Sequence, residues 1–502
     1  MKILLDPIYT TLPSRCASTI KMVRVFEHLS EKYDDAYFYW IVPNDLPAEE
    51  LNWLPQSDRI MYIPLQMDEE LDRYKQYSRL AFDLENVIAF DGDYWDWDIL
   101  VTNKSAMVPL YRMICCKPRA QRLKWCRKIV ILEDMPMMSF KGFVQTPPGD
   151  YSDYLTMLGY LTADKVAICA YWEKAKIMEL AKKHFSPSSA RKIGNNIVEA
   201  TPSLFHDVQF KSKKTVEATI NRKKPFTISF SGRLVKGHRM EEILDIMSKH
   251  WIMRNNDKHP VNCVLTSASK GVGAGIKVPE FVNVVPAPRE EFWRIVKEES
   301  DVGVFLSVEE DYSMSVIEPL TMGLPIAVYK CEWSVASLGE EYPFFIKNAK
   351  EAYGVIKAFY DDYATQYKKF VGWSRNHFLP LLLERNKEYT PEIVDTQVEQ
   401  WKKDLKEWGE NNTTQNDLVD RLPEFLEGGQ PTIFEAVEAM ALTYGDVTTF
   451  LEKATTGIRS KYRLVYSTDW NSVRLTLMSK HGLKDTGVAP GAMGNVKGKN
   501  HE

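Results

Sequence analysis

Short apolar runs alternate with longer helix-like stretches through the first two hundred positions. Runs at 2–5, 36–42, 59–63, 99–102, 129–132 and 165–169 read as strands, and 19–32 and 172–184 as helices. Such alternation builds a parallel sheet with helices on both faces. The pattern pauses at 206–225, where lysines and arginines crowd, apolar residues thin out and a proline stands near the end. This stretch reads as a connection near a domain junction. The alternation then restarts, with strands at 226–231, 261–266, 282–285, 302–307 and 326–329 and helices at 240–250, 289–299 and 316–322. Residues 350–409 read as mostly helical and rich in aromatics. After 411–416, helices are expected at 432–454 and at 470–481, the second ending at Gly482, before a Gly-rich tail from 487.

The expected fold class is α/β, with two doubly wound, Rossmann-like units facing one another and a mainly helical C-terminal extension. Ligands of such sheets sit at the carboxyl ends of the strands. The expected domains are 1–205, a linker at 206–225, 226–375, helices at 376–410 crossing back toward the first unit, and the extension 411–502. A chain of 502 residues exceeds what one core holds, which agrees with this division.

Composition narrows the picture. The chain is 44% hydrophobic and 26% charged, as globular proteins are. A net charge of −4 means that any binding of a polyanion must come from a local patch. Seven cysteines, an odd number without a CxxC pair, point to reduced thiols. Cys115 and Cys116 read as small buried residues. The start MKILLDPIYTT runs straight into a strand without the apolar core or cleavage site of a signal peptide. No apolar run approaches 18 residues. A cytoplasmic protein is expected.

Residues 301–327 carry the most chemical information. A buried-strand pattern ends at Ser307, an acidic, Ser-rich loop follows, and a helix carrying Glu318 stops at Gly323-Leu324-Pro325. Glu318 can accept two hydrogen bonds from a vicinal diol such as a ribose. The amides of Ser313, Met314 and Ser315 stand at the helix start, where the dipole favours a diphosphate. Glu310, at the loop mouth, suits the hydroxyls of a second sugar. A second motif, SGRLVKGHRMEEIL at 231–244, leaves the first strand of the second unit. Its Arg233 and Lys236 are two cations able to neutralise a pyrophosphate as it leaves.

Together these residues resemble the retaining glycosyltransferases of the GT-B fold, family 4 type. Gly232, Arg233, Leu234, Lys236 and Gly237 match that family's Gly-Arg-Leu stretch and following Lys-Gly. Glu310, Glu318, Gly323 and Pro325 match its two glutamates and Gly-x-Pro turn. Residues 163–168 and 193–198 resemble the end of its first domain and the interdomain crossing. The resemblance covers roughly 1–400 and is strongest over 226–330. It implies that Arg233 and Lys236 bind the diphosphate of a nucleotide sugar, with Gly232 beside them. It implies Glu318 on the ribose, and Glu310 with the Ser313, Met314 and Ser315 amides on the transferred sugar. Glu310, Arg233 and Lys236 are the implied catalytic groups. Transfer of a hexose or pentose, with retention and without a metal or other cofactor, is implied, and a UDP-linked donor is expected. The family's N-domain histidine has no counterpart here, and its Gly-x-Gly between the glutamates is replaced by Asp311-Tyr312-Ser313.

The acceptor is read from elsewhere. Residues 117–128, KPRAQRLKWCRK, place six cations in twelve positions: Lys117, Arg119, Arg122, Lys124, Arg127 and Lys128. A basic run in an acidic chain suits a polyanionic acceptor. Glu133 and Asp134, after a strand, are further acceptor-side candidates, and a capping or turn role is open to them too. The helix expected at 470–481, with Arg474, Lys480 and His481, favours nucleic acid over lipid. Phages glycosylate hydroxymethylated pyrimidines in DNA with GT-B enzymes, and this chain is similar in its add-on architecture. A polysaccharide or lipid-linked acceptor, or a non-catalytic scaffold that binds nucleotide sugars, are the alternatives. Asp91-Gly-Asp93 and Asp96-Trp-Asp98 mimic metal-binding pairs, but they read as a turn entering a strand. Gly271, Gly273 and Gly275 lack the spacing of a dinucleotide loop.

Overall fold

A computed structural model describes residues 1–9, 13–43, 46–65, 97–109, 111, 127–133, 150–200, 208–231, 239–249, 261–266, 278–285, 289–308, 310, 312–385, 390–411, 462–466 and 475–479. The chain divides into two compact units. One is Met1–Val108 with Arg127–Lys402, and the other is Pro109–Cys126 with Lys403–Glu502.

The first unit holds two parallel sheets. Strands β1 (Lys2–Asp6), β2 (Tyr37–Pro43), β3 (Ile60–Leu65), β4 (Ile99–Thr102), β5 (Lys128–Glu133), β6 (Lys165–Ile168) and β7 (Ile197–Glu199) form one, in the order β3-β2-β1-β4-β5-β6-β7. Strands β8 (Phe226–Ser231), β9 (Val261–Thr266), β10 (Val282–Val285), β11 (Val302–Phe305), β12 (Ile326–Tyr329) and β13 (Phe345–Ile346) form the other, in the order β10-β9-β8-β11-β12-β13. Every residue of β4, β5, β8 and β11 is buried, as both faces of a parallel sheet are covered by crossover helices.

In the first half those helices are α1 (Ala17–Lys32), α2 (Ala48–Trp53), α3 (Asp150–Thr162), α4 (Lys174–His184) and α5 (Pro187–Asn196). In the second half they are α6 (Lys213–Ile220), α7 (Met240–Lys249), α8 (Arg289–Arg294), α9 (Met314–Thr321), α10 (Glu332–Leu338), α11 (Ala349–Asp361), α12 (Tyr363–Trp373), α13 (Leu379–Arg385) and α14 (Thr390–Asn411). One apolar cluster joins Phe230, Val304, Val316, Ile317 and Leu320 to the aromatic run Tyr342, Phe344, Phe359, Phe370, Trp373 and Phe378. Cys169 and Trp172, which follow β6, pack into the same cluster. Helix α14 is held to α1: the Tyr33 hydroxyl donates to Asp395 (2.5 Å) and Glu399 (2.6 Å), and Lys32 pairs with Asp395 at 2.6 Å. Among the described residues, no helix is long and apolar enough to cross a membrane.

Three details differ from the sequence expectation. Strands β7 and β13 are additional, and both are short edge strands. Within 206–225, residues 213–220 form α6, capped by the Ser212 side chain accepting from the Thr215 amide. Its inward stripe is little more than Val216 and Thr219, too thin to register as an amphipathic helix. The third concerns the second unit. Leu475–Ser479, inside the helix expected at 470–481, is strand β15, antiparallel to β14 (Tyr462–Tyr466). Leu475, Thr476 and Leu477 begin a period of two, and pairing with the Tyr- and Val-rich β14 favours the strand. The helix expected at 432–454 lies outside the described residues.

Candidate functional site

In each sheet the first strand sits in the middle and the chain winds outward on both sides. The order of connection therefore reverses between β1 and β4, and again between β8 and β11. Ligands of open α/β sheets bind at such switch points, beyond the carboxyl ends of the strands. In the second sheet Phe230 lies opposite Val304. The loop after β8 and the loop after β11 thus leave from neighbouring strands at one edge. The first carries Gly232, Arg233 and Lys236, which lie outside the described residues. The second carries Glu310.

The β11–α9 loop is pinned on both sides of Glu310. Before it, the Trp333 indole donates to the Ser307 carbonyl at 3.2 Å, and Trp333 packs edge-on against Phe305. After it, Tyr312 is buried, and the Ser313 carbonyl accepts from the amides of Val316 and Ile317, both at 2.9 Å. Ser313 caps α9 without using its side chain. Amides in the first turn of a helix have no acceptor within the helix, which applies to those of Met314 and Ser315. Pro319 lies within α9 and has no N–H to offer the preceding turn. Glu310 itself is half-buried near the β12–α10 turn. Burial raises the Cys331 thiol above its ordinary range, and the Glu310 charge adds to that effect.

Glu318 is only 5% exposed, although it is a carboxylate. The indole of Trp293, on α8, donates to its Oε1 at 2.7 Å. Its backbone carbonyl accepts from the Thr321 hydroxyl at 2.6 Å, which tightens the last turn of α9. The turn that follows uses Gly323 at φ +83°. Across this edge, Arg239 takes a positive φ of 52°, chelates Glu242 through two hydrogen bonds of 2.7 and 2.8 Å, and lies over the Tyr329 ring. Helix α4 of the first half reaches the same region through an ion pair between Lys176 and Glu332. Trp293, Trp333, Arg239 and the Lys176–Glu332 pair were not singled out by sequence reasoning. Only the i,i+3 pair Arg239–Glu242 had a local signal.

At the first sheet's switch point, Asp6 and Lys104 form a wholly buried ion pair of 2.5 Å. Burial pulls the Lys104 ammonium below its ordinary range, against the pull of Asp6. Thr102 and Asn103 are buried beside it, and Asn103 is bonded to the Leu132 carbonyl. Nearby, Lys21 of α1 reaches the Cys169 thiol at 3.2 Å.

The acceptor-side candidates fare differently. Glu133 ends β5 but is 2% exposed and accepts from the Tyr160 hydroxyl at 3.1 Å. Its carboxylate is thus engaged inside the fold by a residue of α3. Arg127 and Lys128 stand at the opposite, amino end of β5 and are buried. Arg127 covers the Trp97 ring, and Lys128 lies 3.9 Å from Asp164. Both side chains make these contacts inside the fold. Asp134, Lys117, Arg119, Arg122 and Lys124 lie outside the described residues. Asp98 accepts from the Lys2 amide at the start of β1 at 2.8 Å, and 91–96 lie outside the described residues. Among the described residues, no group of three or more His, Cys, Asp or Glu side chains is gathered as a metal site.

No family model matches the sequence, and no curated protein matches it. Solved structures do. The sucrose-phosphate synthase of Thermosynechococcus elongatus is 14% identical, with a TM-score of 0.53 over 77% of this chain and 98% of its own. An E. coli trehalose-6-phosphate structure bound with UDP-2-fluoro glucose is 10% identical, with a TM-score of 0.52 over 80% of this chain and 99% of its own. The trehalose-6-phosphate synthase OtsA is 9% identical, with a TM-score of 0.50 over 81% and 98%. At these identities the likeness is one of fold. The chain has the GT-B fold: two parallel α/β sheets joined in one unit.

Proposed function

We propose that this chain is a glycosyltransferase that uses a nucleotide-sugar donor. The observation that carries the reading is the pair of glutamates at the β8/β11 switch point, one in a loop anchored on both sides and one buried on the helix behind it. On this reading Glu318 accepts hydrogen bonds from the ribose, and Glu310 with the Ser313, Met314 and Ser315 amides holds the transferred sugar. Arg233 and Lys236 hold the diphosphate. The bond from the anomeric carbon to the diphosphate breaks, a bond to the acceptor oxygen forms on the same face, and the acceptor hydroxyl passes its proton to the departing diphosphate oxygen. The leaving diphosphate gains charge, which Arg233 and Lys236 counter without a metal. The E. coli neighbour bound with UDP-2-fluoro glucose supports a UDP-linked donor.

The acceptor reading that the sequence supports is a hydroxymethylated pyrimidine in DNA. It rests on Lys117, Arg119, Arg122 and Lys124. A base inside a duplex would have to be flipped out, at about a few kcal/mol. The test is incubation of the protein with UDP-sugars and hydroxymethylated DNA, followed by digestion to nucleosides and mass spectrometry. A nucleoside heavier by one sugar is expected. Transfer to a lipid-linked or oligosaccharide hydroxyl, with unmodified nucleosides, would overturn the DNA acceptor while keeping the transferase.

A further inference from the structure

Glu318 is asked to recognise a diol, and a carboxylate does so only if both of its oxygens are held in one orientation. A glutamate has three rotatable bonds, so its own backbone does not fix that orientation. The indole of Trp293 does. Its Nε1 lies 2.7 Å from Oε1 of Glu318, and both side chains are at least partly buried. An indole N–H is a donor only, so this bond has one polarity and cannot be reversed by a protonated partner.

The indole is itself held. Trp293 and its neighbour Phe292 pack against the core of the second half. Just after Arg294 the helix widens into a π-turn over Ile295–Glu299, which the Ser300 amide (2.9 Å) and hydroxyl (3.0 Å) close on the Ile295 carbonyl. Wide turns of this kind are over-represented at functional sites. On the outer face, Arg294 bridges Glu291 and Glu299 at 2.6 to 2.8 Å. The short helix α8 is therefore clamped on both faces around the residue that points its N–H at Glu318.

We infer that Trp293 is a positioning residue that sets the preference of this site for a ribose over a 2′-deoxyribose nucleotide, by locking the carboxylate of Glu318. The inference rests on the reading of Glu318 as the ribose-binding group. Trp293 acts through Glu318.

The experiment measures dissociation constants of UDP, ADP and GDP and of their 2′-deoxy analogues for the full chain, by calorimetry. Wild type, Trp293→Phe, Trp293→His and Glu318→Gln are compared. Wild type is expected to favour the ribonucleotide about tenfold, close to 1.4 kcal/mol. Trp293→Phe keeps the ring and loses the donor, so the preference should shrink to about twofold through weaker binding of the ribonucleotide alone. Trp293→His restores an N–H and should recover part of the preference; it also serves if the Phe variant does not fold. In a transfer assay the donor KM should rise while kcat holds. Equal weakening of ribo- and deoxyribonucleotides, or an unchanged ratio in a folded variant, would overturn the role of Trp293. An unchanged ratio in Glu318→Gln, or no nucleotide binding at all, would instead overturn the ribose reading beneath it.

Discussion

Gly323 shows at one residue why this edge is built as it is. Its φ of +83° lies in the region that side chains avoid, and a Cβ there would stand 2.7 Å from the Lys211 amide nitrogen and 3.0 Å from the Phe210 Cα. Both neighbours are backbone and cannot step aside. The segment at 208–212 is held against this turn, with the Gln209 amide on the Thr321 carbonyl at 2.7 Å and the Lys211 amide on the Tyr367 hydroxyl at 3.1 Å. Gly323→Ala should therefore cost about 1–3 kcal/mol from backbone strain alone, more once the clash is added. Denaturant unfolding would show it as a lower midpoint. The Gly-x-Pro motif was legible in sequence, but the strand of chain that makes glycine obligatory was not.

Lys211 gives a second residue-scale prediction. Its ammonium is buried against Ser300, and burial pushes its pKa down to about 7 from an ordinary 10.5. Between those values the unfolded chain binds the proton and the folded chain does not, so stability from this group rises with pH across that window. Below about 7 the folded lysine is charged too, and the contribution becomes flat at its least favourable value. The stability difference between wild type and Lys211→Met should accordingly change across that window and nowhere else. Equilibrium unfolding at several pH values reads it; a difference that stays constant would contradict the account.

At the scale of elements, the buried parallel strands were legible because sheets covered on both faces are written as continuous apolar runs. Strands β8, β9, β10 and β12 have the bounds expected. What escaped depends on partners distant in sequence. Strands β7 and β13 are three and two residues long and exist because a neighbouring strand offers an edge. Strand β15 needs β14. The glutamates of the candidate site could be found by their spacing, whereas Trp293 could not, because it meets Glu318 across 25 positions of sequence. Helix α14 offers a test at this scale. The Tyr33 hydroxyl shares its one proton between two carboxylates of that helix, which keep Lys32 and Lys402 as partners, so Tyr33→Phe should destabilise by about 0.5–1.5 kcal/mol. Thermal unfolding monitored by circular dichroism would report the loss.

At the scale of the molecule, a net charge of −4 means that any affinity for nucleic acid comes from a local patch, and the proposed acceptor reading puts that patch at 117–124. If those four cations each neutralise one phosphate, the logarithm of DNA affinity should fall with the logarithm of salt with a slope of about −3 to −4. A slope near zero in a salt titration would remove DNA as the acceptor. The donor half is independent of that outcome. Its most direct test is turnover of a UDP-sugar by wild type and by the folded variants Glu310→Ala and Arg233→Ala, following release of nucleoside diphosphate together with sugar transfer. Wild type should release one diphosphate for each sugar transferred, and both variants should lose transfer while keeping the wild-type circular dichroism. Unchanged turnover in either folded variant would contradict the assignment of this edge as the donor site.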